Sequence, residues 1–185
     1  MGTRKIILAR HGQYHSDPEE LTDLGRAQAE LLAARLSSEA IDGLISSTLP
    51  RAKETASILH RYHPGCKYQS TSLLDESIAY RPRLPASWSD LISEESLVES
   101  QQQLEGAMLR FFKSTRSALQ TDLLVCHGNI IRTLVCRAMN FPLGAWSELR
   151  IHHCSLTTLL ITRQRVSLLS FNDIGHLPST LQTEI

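Results

Sequence analysis

No charge of either sign dominates this sequence: 185 residues carry 19 Lys+Arg and 19 Asp+Glu, a formal net charge of zero at pH 7. Nothing in that balance draws a polyanion, so neither nucleic acid nor an anionic membrane surface is expected as a partner. Long hydrophobic runs are missing too, and none approaches the ~18 residues that span a bilayer. Residues 1–8 place Arg4 and Lys5 ahead of only a short apolar stretch, which reads as a first strand rather than a signal peptide. Ile6 stands where N-myristoylation needs Ser or Thr. Cys66, Cys126, Cys136 and Cys154 form no CxxC pair and read as free thiols of a reducing compartment. A soluble cytoplasmic protein is expected, with a mitochondrial setting left open should an N-terminal segment precede this sequence.

What is present is the balance of a globular chain, 42% hydrophobic and 21% charged. At about 150 residues per domain, residues 1–185 are read as a single domain. Short β-rich runs at 4–9, 43–47 and 123–126, and a weaker one at 67–74, alternate with helical patterns. The helices are expected at 22–36 behind a Thr22 cap, from Pro50 onward, at 95–119 and at 129–139. Strands at 155–162 and 165–171 close the chain, and Pro82, Pro85 and Trp88 mark an irregular loop. Strand–helix alternation implies right-handed parallel crossovers, hence a doubly wound α/β fold: a mostly parallel sheet with helices on both faces.

Ligands of such sheets bind beyond the carboxyl ends of the strands. Arg10-His11-Gly12 follows the first strand, Arg51 the second, Glu76 the third and Cys126-His127-Gly128 the fourth. Two guanidiniums offer planar forks for phosphate oxygens. Gly12 and Gly128 allow close backbone approach, and the helix after His127 aims free N–H groups at the same place. A histidine among these cations is held neutral and nucleophilic. A lone carboxylate can protonate a leaving oxygen. Together they spell phosphoryl transfer through a phosphohistidine.

Four segments occur in order: Leu8-Ala9-Arg10-His11-Gly12, Leu21-Thr22-Asp23-Leu24-Gly25-Arg26-Ala27-Gln28-Ala29, Ser46-Ser47-Thr48-Leu49-Pro50-Arg51-Ala52 with Glu54-Thr55-Ala56, and Cys126-His127-Gly128-Asn129. Through them nearly the whole chain resembles the histidine phosphatase (phosphoglycerate mutase-like) superfamily. Arg10 to His15, Leu73-Leu74-Asp75-Glu76 and Cys126 to Trp146 resemble its mitochondrial protein serine/threonine phosphatases most. The resemblance implies that His11 is the phosphorylated nucleophile and that Arg10, Arg51 and His127 hold the phosphate. It implies that Glu76 is the proton donor, with Gln13 and the backbone at Gly128 and Asn129 adding contacts. It calls for no metal and no other cofactor. Ser16-Asp17 stands where the mutases have Trp-Asn, which favours hydrolysis. The relatives' membrane anchor and assembly motif are absent, so no membrane contact and no large oligomer is expected, and a homodimer is the candidate assembly.

The implied substrates are phosphomonoesters, protein phosphoserine/phosphothreonine among them. The alternatives are a small-metabolite phosphatase, a mutase, or a catalytically silent binding scaffold. Taken alone, Arg51 could merely bridge to Glu54, and Asp75 or a carboxylate of 94–99 could replace Glu76. His11 and His15 are four apart but in a loop, with no third metal ligand at a familiar spacing. Trp88 and Trp146 read as packing residues, with shaping of substrate access as the alternative for Trp88 in its Pro-rich loop. Residues 99–103 read as a solvated helix face, and Leu104, Met108, Leu109, Phe111 and Phe112 as a core stripe.

Overall fold

The structure of the chain, a computed structural model, describes residues 2–83 and 92–184. Among these residues the strands β1 (Thr3–Arg10), β2 (Gly43–Ser46), β3 (Lys67–Ser70), β4 (Leu119–Cys126), β5 (Leu156–Ile161) and β6 (Val166–Asp173) form one sheet in the order β3-β2-β4-β1-β5-β6. The first four pair in parallel, while β5 and β6 run antiparallel beside β1. The helices are α1 (Asp23–Leu36), α2 (Pro50–Tyr62), α3 (Glu94–Phe111) and α4 (Gly128–Ala138).

Helices cover both faces, as the alternating pattern predicts. Side chains alternate sides along a strand, so Ile6 and Leu8 join α3 and α4 residues such as Leu104, Ile131 and Leu134, while Ile7 and Ala9 join Ala29, Leu32, Ala56 and Leu59 of α1 and α2. Thr22 caps α1 by accepting the Gly25 N–H, and Pro50 opens α2 where a missing N–H costs nothing.

The differences from the sequence reading are local. The third helix stops at Phe111, not at 119, because Arg4 Nη1 reaches its last carbonyls, 2.9 Å from that of Phe111, and β4 then starts at Leu119 opposite Thr3. The polar start of β4 is held in the sheet by side chains: Asp122 meets Arg4 at 3.4 Å, and Asp42 accepts the Thr121 N–H at 2.7 Å. β3 ends at Ser70, since Thr71 caps a 3-10 turn at Ser72–Leu74 that drives Leu74 into the core. Leu109 is 75% exposed and does not belong to the core stripe. The 99–103 face is not simply solvated: Ser100 is buried, and Gln101 and Gln103 donate to the carbonyls of Ala79 and Asp75. Trp146 packs as expected and donates Nε1–H to the Tyr80 carbonyl at 2.8 Å. Pro85 and Trp88 lie outside the described residues.

Candidate active site

Sheet register assembles the site. Arg10 pairs with Cys126 and Ser46 with Val125, so the chain leaves β1, β2 and β4 at one level. The His11 N–H bonds the Cys126 carbonyl at 2.9 Å and the Ser47 N–H bonds that of Val125 at 2.9 Å. His11, Ser47 and His127 therefore emerge abreast, and the His11 and His127 rings stand 4.9 Å apart between centroids.

His11 is buried, and its hydrogen bonds define its tautomer. Nδ1 lies 2.8 Å from the Gly12 carbonyl, which can only accept, so Nδ1 carries the proton. Nε2 is left as a lone pair and receives the Arg51 Nε–H at 3.3 Å. Burial holds the His11 pKa well below 6.5, with the neighbouring His127 and Arg10 adding to the effect. Cationic neighbours were the expected cause, and desolvation comes first.

Arg51 does not bridge to Glu54, which is taken by Arg26 at 2.7 Å. Its Nη1 instead meets Glu19 Oε2 at 2.7 Å and its guanidinium lies over the Tyr14 ring, 4.5 Å from the centroid. Arg10 gives Nη1 to the Ile151 carbonyl at 2.7 Å and to the Glu184 carbonyl, while its buried Nε has no partner. Burial brings the Arg10 pKa down to about 10, opposed by Glu76. His127 is fully buried at the start of α4, and burial lowers its pKa to about 3, with Arg51 and Arg10 as further causes.

Glu76 reaches the N-terminus of α4, where its Oε1 accepts the Asn129 N–H at 3.1 Å and the Ile130 N–H at 3.3 Å. Burial raises its pKa above 4.5 against the pull of Arg10 and those N–H groups. This corrects two expectations at once: the helix N–H groups face a carboxylate, and the Asn129 N–H is not free to hold phosphate. Of the alternatives to Glu76, Asp75 is turned away to Ser47 and Thr48 and Glu94 pairs with Arg81, whereas Glu99 lines the same cavity as Glu76. A cavity of about 430 Å3 opens beside Glu76, lined also by Ser77, Ser96, Glu99 and Gln103.

The smaller contacts divide. Gln13 accepts the Thr22 hydroxyl on its side-chain oxygen at 2.9 Å, which leaves its amide nitrogen as the group free to meet a ligand. A Cβ at Gly128 would press on Ile151 Cγ2 at 3.3 Å, while Arg10 Nε at 3.6 Å would be in ordinary contact. Gly12 serves packing, since its Cβ would come within 2.5 Å of the Gly25 carbonyl oxygen.

Sequence reasoning missed Tyr14, Glu19, Ser47 and His153. Tyr14 and His153 place rings 5.1 and 5.5 Å from His11. Their signal was weak: each comes from a loop, and only the closed sheet brings it in.

Residues 6–174 match the family described as the histidine phosphatase superfamily (branch 1). A protein of Caenorhabditis briggsae named serine/threonine-protein phosphatase Pgam5, mitochondrial, is 39% identical over 95% of this chain and 65% of its own length. The human protein of that name is 36% identical over 95% of this chain and 64% of its own. The chain thus spans just under two thirds of these relatives, whose names carry a mitochondrial label against the cytoplasmic expectation. A crystal structure of a phosphoglycerate mutase from Plasmodium falciparum superposes with a TM-score of 0.67 at 28% identity, covering 97% of this chain and 96% of the other. With its Arg-His-Gly turn and second histidine at one sheet edge, this chain belongs to the histidine phosphatase superfamily.

Proposed function

We propose that the protein hydrolyses phosphomonoesters through a phosphohistidine at His11, with phosphoserine and phosphothreonine side chains of proteins as the substrate class. The observation that supports this most is the His11 tautomer. Its Nδ1 is committed to the Gly12 carbonyl and its Nε2 lone pair faces a guanidinium within a cationic pocket. An imidazole so held is neutral at pH 7 and presents one nucleophilic nitrogen.

A phosphoryl group entering there meets the unpartnered Arg10 Nε, the Arg51 guanidinium and His127. These donors neutralise the equatorial oxygens while Nε2 attacks phosphorus in line, so catalysis is positioning plus electrostatics. Glu76, whose pKa burial raises, is the group that gives a proton to the departing alcohol. It then takes a proton from the water that hydrolyses phospho-His11. The protein substrates rest on the names of the relatives, which also favour a mitochondrial setting, and the single-domain reading of 1–185 stands with this proposal.

The test is turnover of a panel of phosphopeptides and small phosphometabolites, with His11→Ala as control. Phosphopeptides are expected to be preferred, and acid quench to trap an acid-labile, base-stable phosphoprotein absent from the variant. Wild-type rates in His11→Ala would remove the nucleophile. Preference for a metabolite would move the substrate class, and transfer between positions of a bisphosphoglycerate would make the protein a mutase.

A further inference from the structure

Beyond the phosphate ligands, one chain of hydrogen bonds runs from the pocket to a carboxylate that the reaction does not use. His127 Nε2 is 2.7 Å from Ser47 Oγ, and Ser47 Oγ is 2.7 Å from Asp75 Oδ1. Asp75 is itself fixed: Oδ1 accepts the Thr48 N–H at 2.7 Å, Oδ2 accepts the Thr48 hydroxyl at 2.6 Å, and Gln103 holds its backbone carbonyl at 2.7 Å.

Proton counting settles the direction of the chain. Ser47 has one hydroxyl proton, and a carboxylate can only accept, so that proton goes to Asp75. Ser47 oxygen also accepts the Leu49 N–H at 3.1 Å. It must therefore accept from His127 as well, which places the single proton of a neutral ring on Nε2. Nδ1 is then bare, and it is buried without a partner. Without Asp75, Ser47 could turn its proton to Nε2, and the ring proton would move to Nδ1.

We propose that Asp75, acting through Ser47, is a positioning residue that fixes His127 as the Nε2–H tautomer, so that a phosphate dianion binds only as His127 takes up a proton at Nδ1. This deepens the reading of the pocket as a phosphate site and rests on it. The bare lone pair would repel an oxyanion, whereas the protonated ring donates to it and is stabilised by Asp75 on its far side. Facing His127 are His11 and Arg10 from the end of β1 and Arg51 from α2, while Glu76 is docked on the Asn129 and Ile130 N–H groups of α4. The cations and burial keep the empty ring neutral, so the proton comes in with the dianion and leaves with it.

The probe is inorganic phosphate, its affinity measured by calorimetry on the whole chain between about pH 7.5 and 9. The wild type is expected to bind about tenfold more weakly per pH unit, one proton being taken up per dianion. Ser47→Ala frees the ring to carry its proton at Nδ1, and the slope is expected to vanish. A merely structural loss would weaken binding at every pH and keep the slope. Ring nitrogen NMR of the phosphate-free wild type supplies the second readout, with the His127 proton expected on Nε2 alone and both nitrogens protonated once phosphate is bound. A proton on Nδ1 in the empty protein, or a slope that survives in Ser47→Ala, overturns the inference. Phosphate binding with the expected slope but no monoester turnover supports it and sinks only the hydrolase reading, and no phosphate binding at all overturns both.

Discussion

The Arg51 Nε–H points at Nε2 of His11 across 3.3 Å, so the guanidinium guards the same lone pair that would attack phosphorus. On the proposed mechanism substrate draws Arg51 from nitrogen to phosphoryl oxygen, with Glu19 on Nη1 and Tyr14 beneath the plane keeping it within reach. Arg51→Ala is expected to lower kcat/KM for an aryl phosphate by roughly 10²–10³, the usual cost of one oxyanion donor. Arg51→Lys is expected to recover little, since a point charge cannot hold the ring nitrogen and the Glu19 carboxylate in one fork. Steady-state kinetics of the two variants decide this, and near-wild-type activity in either would remove Arg51 from the phosphate pocket.

That relationship also shows what could be read from the residue order. Strand–helix alternation and the rule that ligands gather beyond strand ends were enough to bring Arg10, His11, Arg51, Glu76 and His127 together, because each follows an element by a few residues. Glu19 and Ser47 were not legible in this way. Glu19 belongs to a loop whose path depends on the bridge between Tyr14 and Leu21, and Ser47 gains meaning only from the register that sets β2 against β4. The misplaced end of α3 has the same origin: Arg4, more than a hundred residues earlier in the chain, stops it.

Glu76 should betray its role through the leaving group. Its Oε1 accepts two N–H bonds from α4, and a glutamine can present its amide oxygen to the same donors, so the fold is expected to survive Glu76→Gln. A proton donor matters when the departing alkoxide is basic and hardly at all when it is a stabilised phenolate. Turnover of an alkyl phosphate is therefore expected to fall by about 10²–10⁴, with an activated aryl phosphate spared. Equal losses on both substrates would assign Glu76 to holding α4 in place instead of to proton transfer.

The buried histidines give stability a pH dependence whose sign can be worked out. His11, His127 and His153 all have folded pKa values below 6.5, those of His127 and His153 reaching about 3, with burial as the first cause in each. Below pH 6.5 the unfolded chain binds these protons and the folded chain refuses them, so stability is lost as pH falls from about 6.5 toward 3. Glu76 acts in the opposite sense: its raised pKa favours the fold below about 4.5, and that contribution is lost as pH rises through its folded value. Three histidines outweigh one carboxyl, so urea midpoints are expected to decline as pH falls below 6.5. A midpoint independent of pH between 5 and 7 would mean that the histidines are charged in the folded protein.

The turn that carries His11 is pressed backbone to backbone against α1, and this contact can be tested apart from catalysis. A Cβ on Gly25 would lie 1.9 Å from the Gln13 carbonyl oxygen, whereas one on Gly65 would meet nothing within 4 Å. Rigid main chain cannot rotate aside as a side-chain tip can, so the Gln13 segment has to shift, and with it the two residues back to His11. Thr22 and Gln28 oppose that shift, Thr22 by donating to the Gln13 side chain and Gln28 by accepting the Gln13 N–H at 2.9 Å while its Nε2 holds the Leu181 carbonyl at 2.7 Å. Gly25→Ala is expected to cost about 1–3 kcal/mol, the range for overpacking, and to lower kcat as the His11 ring leaves its line to phosphorus. Gly65→Ala should leave both unchanged. Chemical denaturation read beside kinetics separates the outcomes, and a Gly25→Ala protein of full stability and activity would show that the nucleophile turn is far softer than its packing implies.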